Sequence, residues 1–102
     1  MVKQIIWSKK AKEDKTEILR YWLNRNKSNV YPKKLNDLIK EAILWIVENP
    51  FVRRSTDYEG VYVKQVRDYF ILFEETESTI YILTIWDTRQ DPKKIEDIIN
   101  QK

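Results

Sequence analysis

The most concentrated chemistry in this chain lies directly after its most apolar stretch. Ile80, Tyr81, Ile82, Leu83, Ile85 and Trp86 are followed within two residues by a polar row, Asp87, Thr88, Arg89, Gln90 and Asp91. A guanidinium held at the rim of a rigid sheet can clamp a phosphate through two parallel N–H bonds. Flanked by carboxylates, Arg89 can equally pair with Asp87 or Asp91 and simply fix a turn. One wall of any functional site is expected here.

What the chain lacks narrows the chemistry further. It has no cysteine and no histidine, which excludes a disulfide framework, a thiol nucleophile, the usual zinc ligand sets and every Ser-His or Cys-His arrangement. Proton transfer, if the protein performs any, would fall to Tyr, Lys, Asp or Glu with shifted pKa values. No metal site and no cofactor is implied by any motif. The absence of cysteine suits a reducing cytoplasm. Residues 2 to 7 include Lys3 and are too short for a signal-peptide core or a membrane span. A cytoplasmic protein without membrane contact is therefore expected.

The polar row needs elements to hold it. Thr79 to Trp86 is rich in β-branched and aromatic residues, the pattern of a strand buried on both faces, so it is expected to be central in a sheet. Asp91-Pro92 joins an N-cap acceptor to the residue that suits the first helical position, and Ile95, Ile98 and Ile99 give the helix expected there a small apolar face. Earlier in the chain, Val2 to Trp7 reads as a short strand and Ser8 as the N-cap of a helix reaching about Asn26. Leu35, Leu38, Ile39, Ala42, Ile43 and Ile46 keep helical spacing over Pro32 to Glu48, and Asn49-Pro50 ends that element. Phe51 to Gly60 reads as a loop. Val61 to Arg67 and Tyr69 to Glu75 read as strands joined by a tight turn near Asp68.

At 102 residues the chain is expected to be one domain, residues 1–102, that buries roughly 60 to 70% of its unfolded surface. The order β-α-α-β-β-β-α predicts an α+β fold of two layers, an antiparallel four-stranded sheet with an αα-hairpin on one face. The last strand should lie between the first strand and the Tyr69 strand. The opposite face, with nothing long enough to cover it, is expected to be the working surface. The charge is uneven: residues 1 to 34 hold ten Lys/Arg against three Asp/Glu, and residues 35 to 102 hold nine against thirteen, or +7 and −4. A basic first third can meet nucleic acid or an acidic protein, or can be a solvated helix face.

The element order, with VRDYFILFEE (Val66 to Glu75) and IYILTIWDTRQDPKK (Ile80 to Lys94), resembles the RelE/ParE superfamily of toxins from type II toxin-antitoxin systems. Tyr69, Ile71 and Phe73 fit the family's Y-x-I-x-[YF] strand, and the WDTRQDP turn is its most specific piece. The resemblance implies a small growth-inhibiting protein neutralised by a protein antitoxin. ParE-like members bind DNA gyrase without known hydrolytic chemistry, whereas RelE-like members cut mRNA in the ribosomal A site as metal-independent interferases. An inactive binding module of the same fold is a further alternative. The RelE-like late Tyr or His is missing, because nothing aromatic follows Trp86, and this favours the ParE-like reading. The oligomeric state is not indicated.

The resemblance also assigns candidate residues. Arg89 sits where the family places an arginine after the last strand, and Arg67 and Lys64 lie where nuclease members hold phosphate-binding bases. By strand alternation only one of Arg67 and Lys64 can face the site, and Arg67 is preferred. Arg53 and Arg54, in the loop after the second helix, with Trp86 and Gln90 at the rim, are candidates for contact with a target or nucleic acid; for the arginines a solvated loop pair is the competing account, and for Trp86 a place in the core. Lys9, Lys10, Lys12 and Arg20 on the first helix are expected to meet acidic residues of the antitoxin.

Overall fold

The computed structural model describes residues 3–90 and residue 93, so the helix expected after Pro92 lies outside the described residues. The sequence signals at the start of the chain hold in the structure. After β1 (Gln4–Trp7), Ser8 is extended and its Oγ accepts the N–H of Ala11 at 2.9 Å, which starts α1 (Lys9–Asn26). The helix closes at Lys27, in the left-handed region at φ 52, a conformation that costs a non-glycine residue about 1 kcal/mol. The second helix, α2 (Val30–Glu48), begins two residues before Pro32, which leaves the proline in the first turn where its missing N–H is harmless. Leu35, Ile39, Ala42, Ile43 and Ile46 form its buried stripe.

Five strands make one sheet: β1, β2 (Arg54–Ser55), β3 (Tyr62–Val66), β4 (Tyr69–Glu75) and β5 (Thr79–Asp87), in the order β1-β5-β4-β3-β2. The antiparallel meander from β3 to β5 is as expected, and β5 lies between β1 and β4. The expected four-stranded antiparallel sheet needs two corrections. First, β1 runs parallel to β5, pairing Gln4 with Thr79 through Trp7 with Ile82, so the sheet is mixed. A strand's direction is set by how the chain returns through both helices, and a four-residue apolar pattern carries no sign of it. Second, the presumed loop contains β2, which pairs Arg54 with Val63 and Ser55 with Tyr62. A two-residue polar strand has no alternation to read.

A bulge sets which side chains meet the helices. Leu72 pairs with Thr84 but Phe73 pairs with Ile82, so Leu83 is the extra residue on β5. Ile82 and Ile85 therefore both join the main core with Ile71, Phe73, Ile80 and the buried stripe of α2. Leu83 turns to the other face. That face is less open than expected: Val61, Val63 and Leu72 are buried there, with Tyr58, Phe70 and Leu83 packed against them.

Beyond Trp7 the chain leaves the sheet, and β5 keeps an edge that β1 no longer covers. The start of α1 takes over that edge. Ser8 donates its N–H to the Ile82 carbonyl at 3.0 Å and its hydroxyl to the Leu83 carbonyl at 2.8 Å. Asp14, nearly two helical turns on, accepts the Ile85 N–H at 3.3 Å and the Thr84 hydroxyl, and it pairs with Lys10. A carboxylate thus replaces the missing strand carbonyl. No helix among the described residues is long and apolar enough to cross a membrane.

Candidate functional site

The polar row after β5 forms one side of a cleft of about 260 Å³ between α1 and the ends of β4 and β5. Asp14, Glu17 and Tyr21 come from the helix; Tyr69, Asp87, Arg89 and Gln90 come from the sheet side. Tyr69, the first residue of β4, is 2% exposed and accepts a hydrogen bond from Trp22 Nε1 at 2.8 Å. Burial is the main reason its hydroxyl titrates above the ordinary tyrosine value. Trp22 stands edge-on to both Tyr21 and Tyr31, at 5.2 and 4.9 Å between ring centres, so one aromatic group joins both helices to β4.

Arg89 is engaged locally. Its Nε donates to Asp87 Oδ1 at 3.0 Å and its Nη2 to Asp87 Oδ2 at 2.9 Å, while its backbone N–H also donates to Oδ1 at 2.9 Å. Hydrogen bonding from Arg89 holds the Asp87 carboxyl below its usual range, and Asp87 in turn raises the guanidinium. The turn is anchored from the other side by Thr88, whose N–H and hydroxyl both donate to the Asp68 carbonyl, at 3.0 and 2.9 Å. This link brings the β3–β4 turn, and with it Arg67, to the same end of the sheet as Arg89.

Arg67 itself is not on a strand as expected. It is the first residue of the two-residue turn between Val66 and Tyr69, with φ 55, and its side chain is exposed. Face alternation does not apply to a residue outside the ladder. Lys64 does lie on the helix side with Val66, as alternation requires, and its Nζ stands 3.9 Å from the centre of the Trp45 ring. Lys64 and Arg67 line one cleft, between α2 and β3, and Arg89 lines another, between α1 and the ends of β4 and β5.

The remaining candidates divide between structural and exposed positions. Arg53 is not a solvated loop residue: it is bidentate to Glu75, at 2.6 and 3.0 Å, and also donates to the carbonyls of Ile46, Asn49 and Val52. It closes the C-terminus of α2 and ties it to β4. Arg54 is exposed, its guanidinium 5.8 Å from the Phe70 ring centre. Trp86, expected at the rim, is only 5% exposed, which leaves no ring face for stacking. Gln90 is exposed and lines the cleft. Lys9, Lys12 and Arg20 are exposed on α1, and Lys10 is paired with Asp14.

Sequence reasoning missed two carboxylates. Asp14 falls at i+3 from Ala11 and i−4 from Ile18, an acid on the apolar stripe of α1, and that placement was the available signal. Glu75 gathers Arg53 and Lys3, the latter at 2.8 Å, and these hydrogen bonds lower its pKa to about 2. Nothing local in the sequence marks that three-way contact. Among the described residues no group of three or more carboxylates is placed to hold a metal ion.

The family described as the ParE toxin of the type II toxin-antitoxin system parDE matches residues 5–92. No curated protein matches the chain. Among solved structures, a chain of the chromosomal ParDE system from P. aeruginosa superposes with a TM-score of 0.73 at 20% identity, covering 86% of this chain and 98% of its own. A chain of the RelBE2 toxin-antitoxin complex from Mycobacterium tuberculosis gives 0.60 at 15% identity, covering 85% and 99%. A mutant of E. coli toxin RelE in the free state gives 0.68 at 8% identity, covering 99% and 98%. At these identities the solved structures speak for the fold alone.

Proposed function

Because this chain belongs to the ParE toxin family of type II toxin-antitoxin systems, we propose that it is held inactive by a protein antitoxin and, once released in the cytoplasm, arrests growth by binding an essential enzyme. DNA gyrase, or a target like it, is inhibited without any bond being cut. The observation that carries this reading is the Arg89–Asp87 pair. A clamp for a scissile phosphate is a preorganised, uncompensated donor, whereas this guanidinium is already neutralised by the carboxylate two residues before it. With Arg67 on an exposed turn and Lys64 over Trp45, Arg89 is the one cation among the described residues that line its cleft.

The antitoxin contact is assigned to the exposed cations of α1, Lys9, Lys12 and Arg20, with Lys10 beside them. The ParDE, RelBE2 and DinJ-YafQ neighbours are described as toxin-antitoxin systems or complexes, which supports a protein partner here too. Expression of the chain alone is expected to stop bacterial growth, and co-expression with its antitoxin to restore it. Purified protein should then abolish supercoiling by gyrase while leaving ribosome-bound message intact. Cleaved message from the wild-type protein, lost in Arg67→Ala and Arg89→Ala, would replace this reading with the RelE-like one. Normal growth at high expression of the folded chain would point to an inactive module.

A further inference from the structure

A groove separate from the α1 cations runs between the C-terminal half of α2 and β3. It consists of two clefts of about 250 Å³ each, and Trp45, Lys64 and Gln65 line both. Lys64 lies over the Trp45 ring where the two meet. The inner lining is apolar, with Ile46 and Phe73 in one cleft and Ala42 and Val66 in the other. Two of its large apolar walls stay in solvent: Trp45 is 37% exposed and Val52 55%. Single exposed apolar residues need no explanation, but Trp45 and Val52 exposed together as walls of one apolar-lined groove are the pattern of a contact surface.

The charges of the groove choose the occupant. Arg54, Lys64 and Arg67 line it against one carboxylate, Glu41. Among the described residues none of these three cations is paired with a carboxylate. We propose that the groove binds an acidic segment of a partner protein, which seats a large apolar side chain beside Trp45 and Val52 and sets carboxylates against Arg54 and Lys64. A second copy of this chain would bring the same cations to a two-fold contact and face them with like charge. A nucleic-acid strand would satisfy the cations but leave the apolar wall at Val52 in water, because its phosphates carry the attraction. The inference does not depend on the toxin reading, since it concerns binding and not growth.

The test uses the full chain, isotope-labelled, and a synthetic peptide of alternating Glu and Leu. Its controls are the same peptide with Lys for Glu, and an oligouridylate. The expected result is a shift of the Trp45 indole N–H and of the Val63, Lys64 and Gln65 amides with the acidic peptide alone. Affinity should fall about tenfold or more in Arg54→Glu and in Lys64→Glu, both at surface positions where the fold is retained, and stay unchanged in Lys12→Glu. Trp45→Ala, read by the same amides, should also lose the peptide. Shifts confined to α1, equal binding of the Lys peptide, the same shifts with oligouridylate, or concentration-dependent shifts without any peptide would each overturn the proposal.

Discussion

Arg89 and Arg53 show how far one residue type can diverge in role. Arg89 is exposed and its pair with Asp87 is local, so Arg89→Ala should leave the melting temperature nearly unchanged; on the gyrase reading it should also create no loss of any RNA cleavage, since there is none to lose. Arg53 is mostly buried, makes five hydrogen bonds and neutralises a shielded carboxylate. Arg53→Ala leaves Glu75 with Lys3 alone and removes a donor from the Ile46 and Asn49 carbonyls at the end of α2, and it should cost about 3 kcal/mol in denaturant unfolding. The same network predicts a pH dependence. Glu75 titrates at about 2 in the folded protein against an ordinary 4.5; because the folded value is the lower one, its stabilisation is complete above about 4.5 and is lost as pH falls toward 2. Denaturant midpoints measured across that window should drop in the wild type and drop less in Glu75→Gln.

At the scale of elements, the joint between α1 and β5 depends on a side chain in place of a strand. Asp14→Ala would strip a partner from the buried Thr84 hydroxyl and the Ile85 N–H, and should destabilise by about 2 to 3 kcal/mol, with amide exchange at Ile85 accelerating more than at Ile80 to Ile82, which stay bonded inside the sheet. This joint also marks the limit of what the chain's pattern discloses. Both helices, the meander and the central place of β5 were legible because each rests on local periodicity: the stripe from Leu35 to Ile46, the β-branched run from Ile80 to Ile85, the Ser8 cap. The parallel β1 was not, because its direction is fixed by pairing with residues distant in sequence; nor were the two-residue β2, which has no alternation to read, and the turn position of Arg67, which follows from the Val66–Tyr69 register of the hairpin. The site was legible in part. Asp87, Arg89 and Gln90 do line a cleft, and the pairing of Arg89 with Asp87 and the burial of Trp86 were each one of two foreseen outcomes, but the capture of Arg53 by Glu75 arises from tertiary packing alone.

Across the whole molecule the asymmetry of charge becomes an asymmetry of surfaces. The excess of cations in residues 1 to 34 appears largely as one exposed helix side, which carries Lys9, Lys12 and Arg20 and where Lys12 and Arg20 share a shallow cleft with Glu13 and Glu17. The α2–β3 groove carries its own cations around an apolar lining. These surfaces differ in the physics of recognition: solvated lysines on a helix act mainly through long-range attraction, which screens within about 8 Å at physiological salt, while a groove with exposed apolar walls acts through desolvation at contact. Reversing charge at Lys9, Lys12 and Arg20 together should therefore slow association with the antitoxin by roughly tenfold or more at low salt, flatten the dependence of the association rate on ionic strength, and change dissociation little. Stopped-flow mixing of the purified toxin variant with its antitoxin over a series of salt concentrations measures all three. Association rates and salt slopes equal to those of the wild type would remove the antitoxin from α1, and an unchanged association rate with faster dissociation would place these residues in a desolvated contact in place of a steering field.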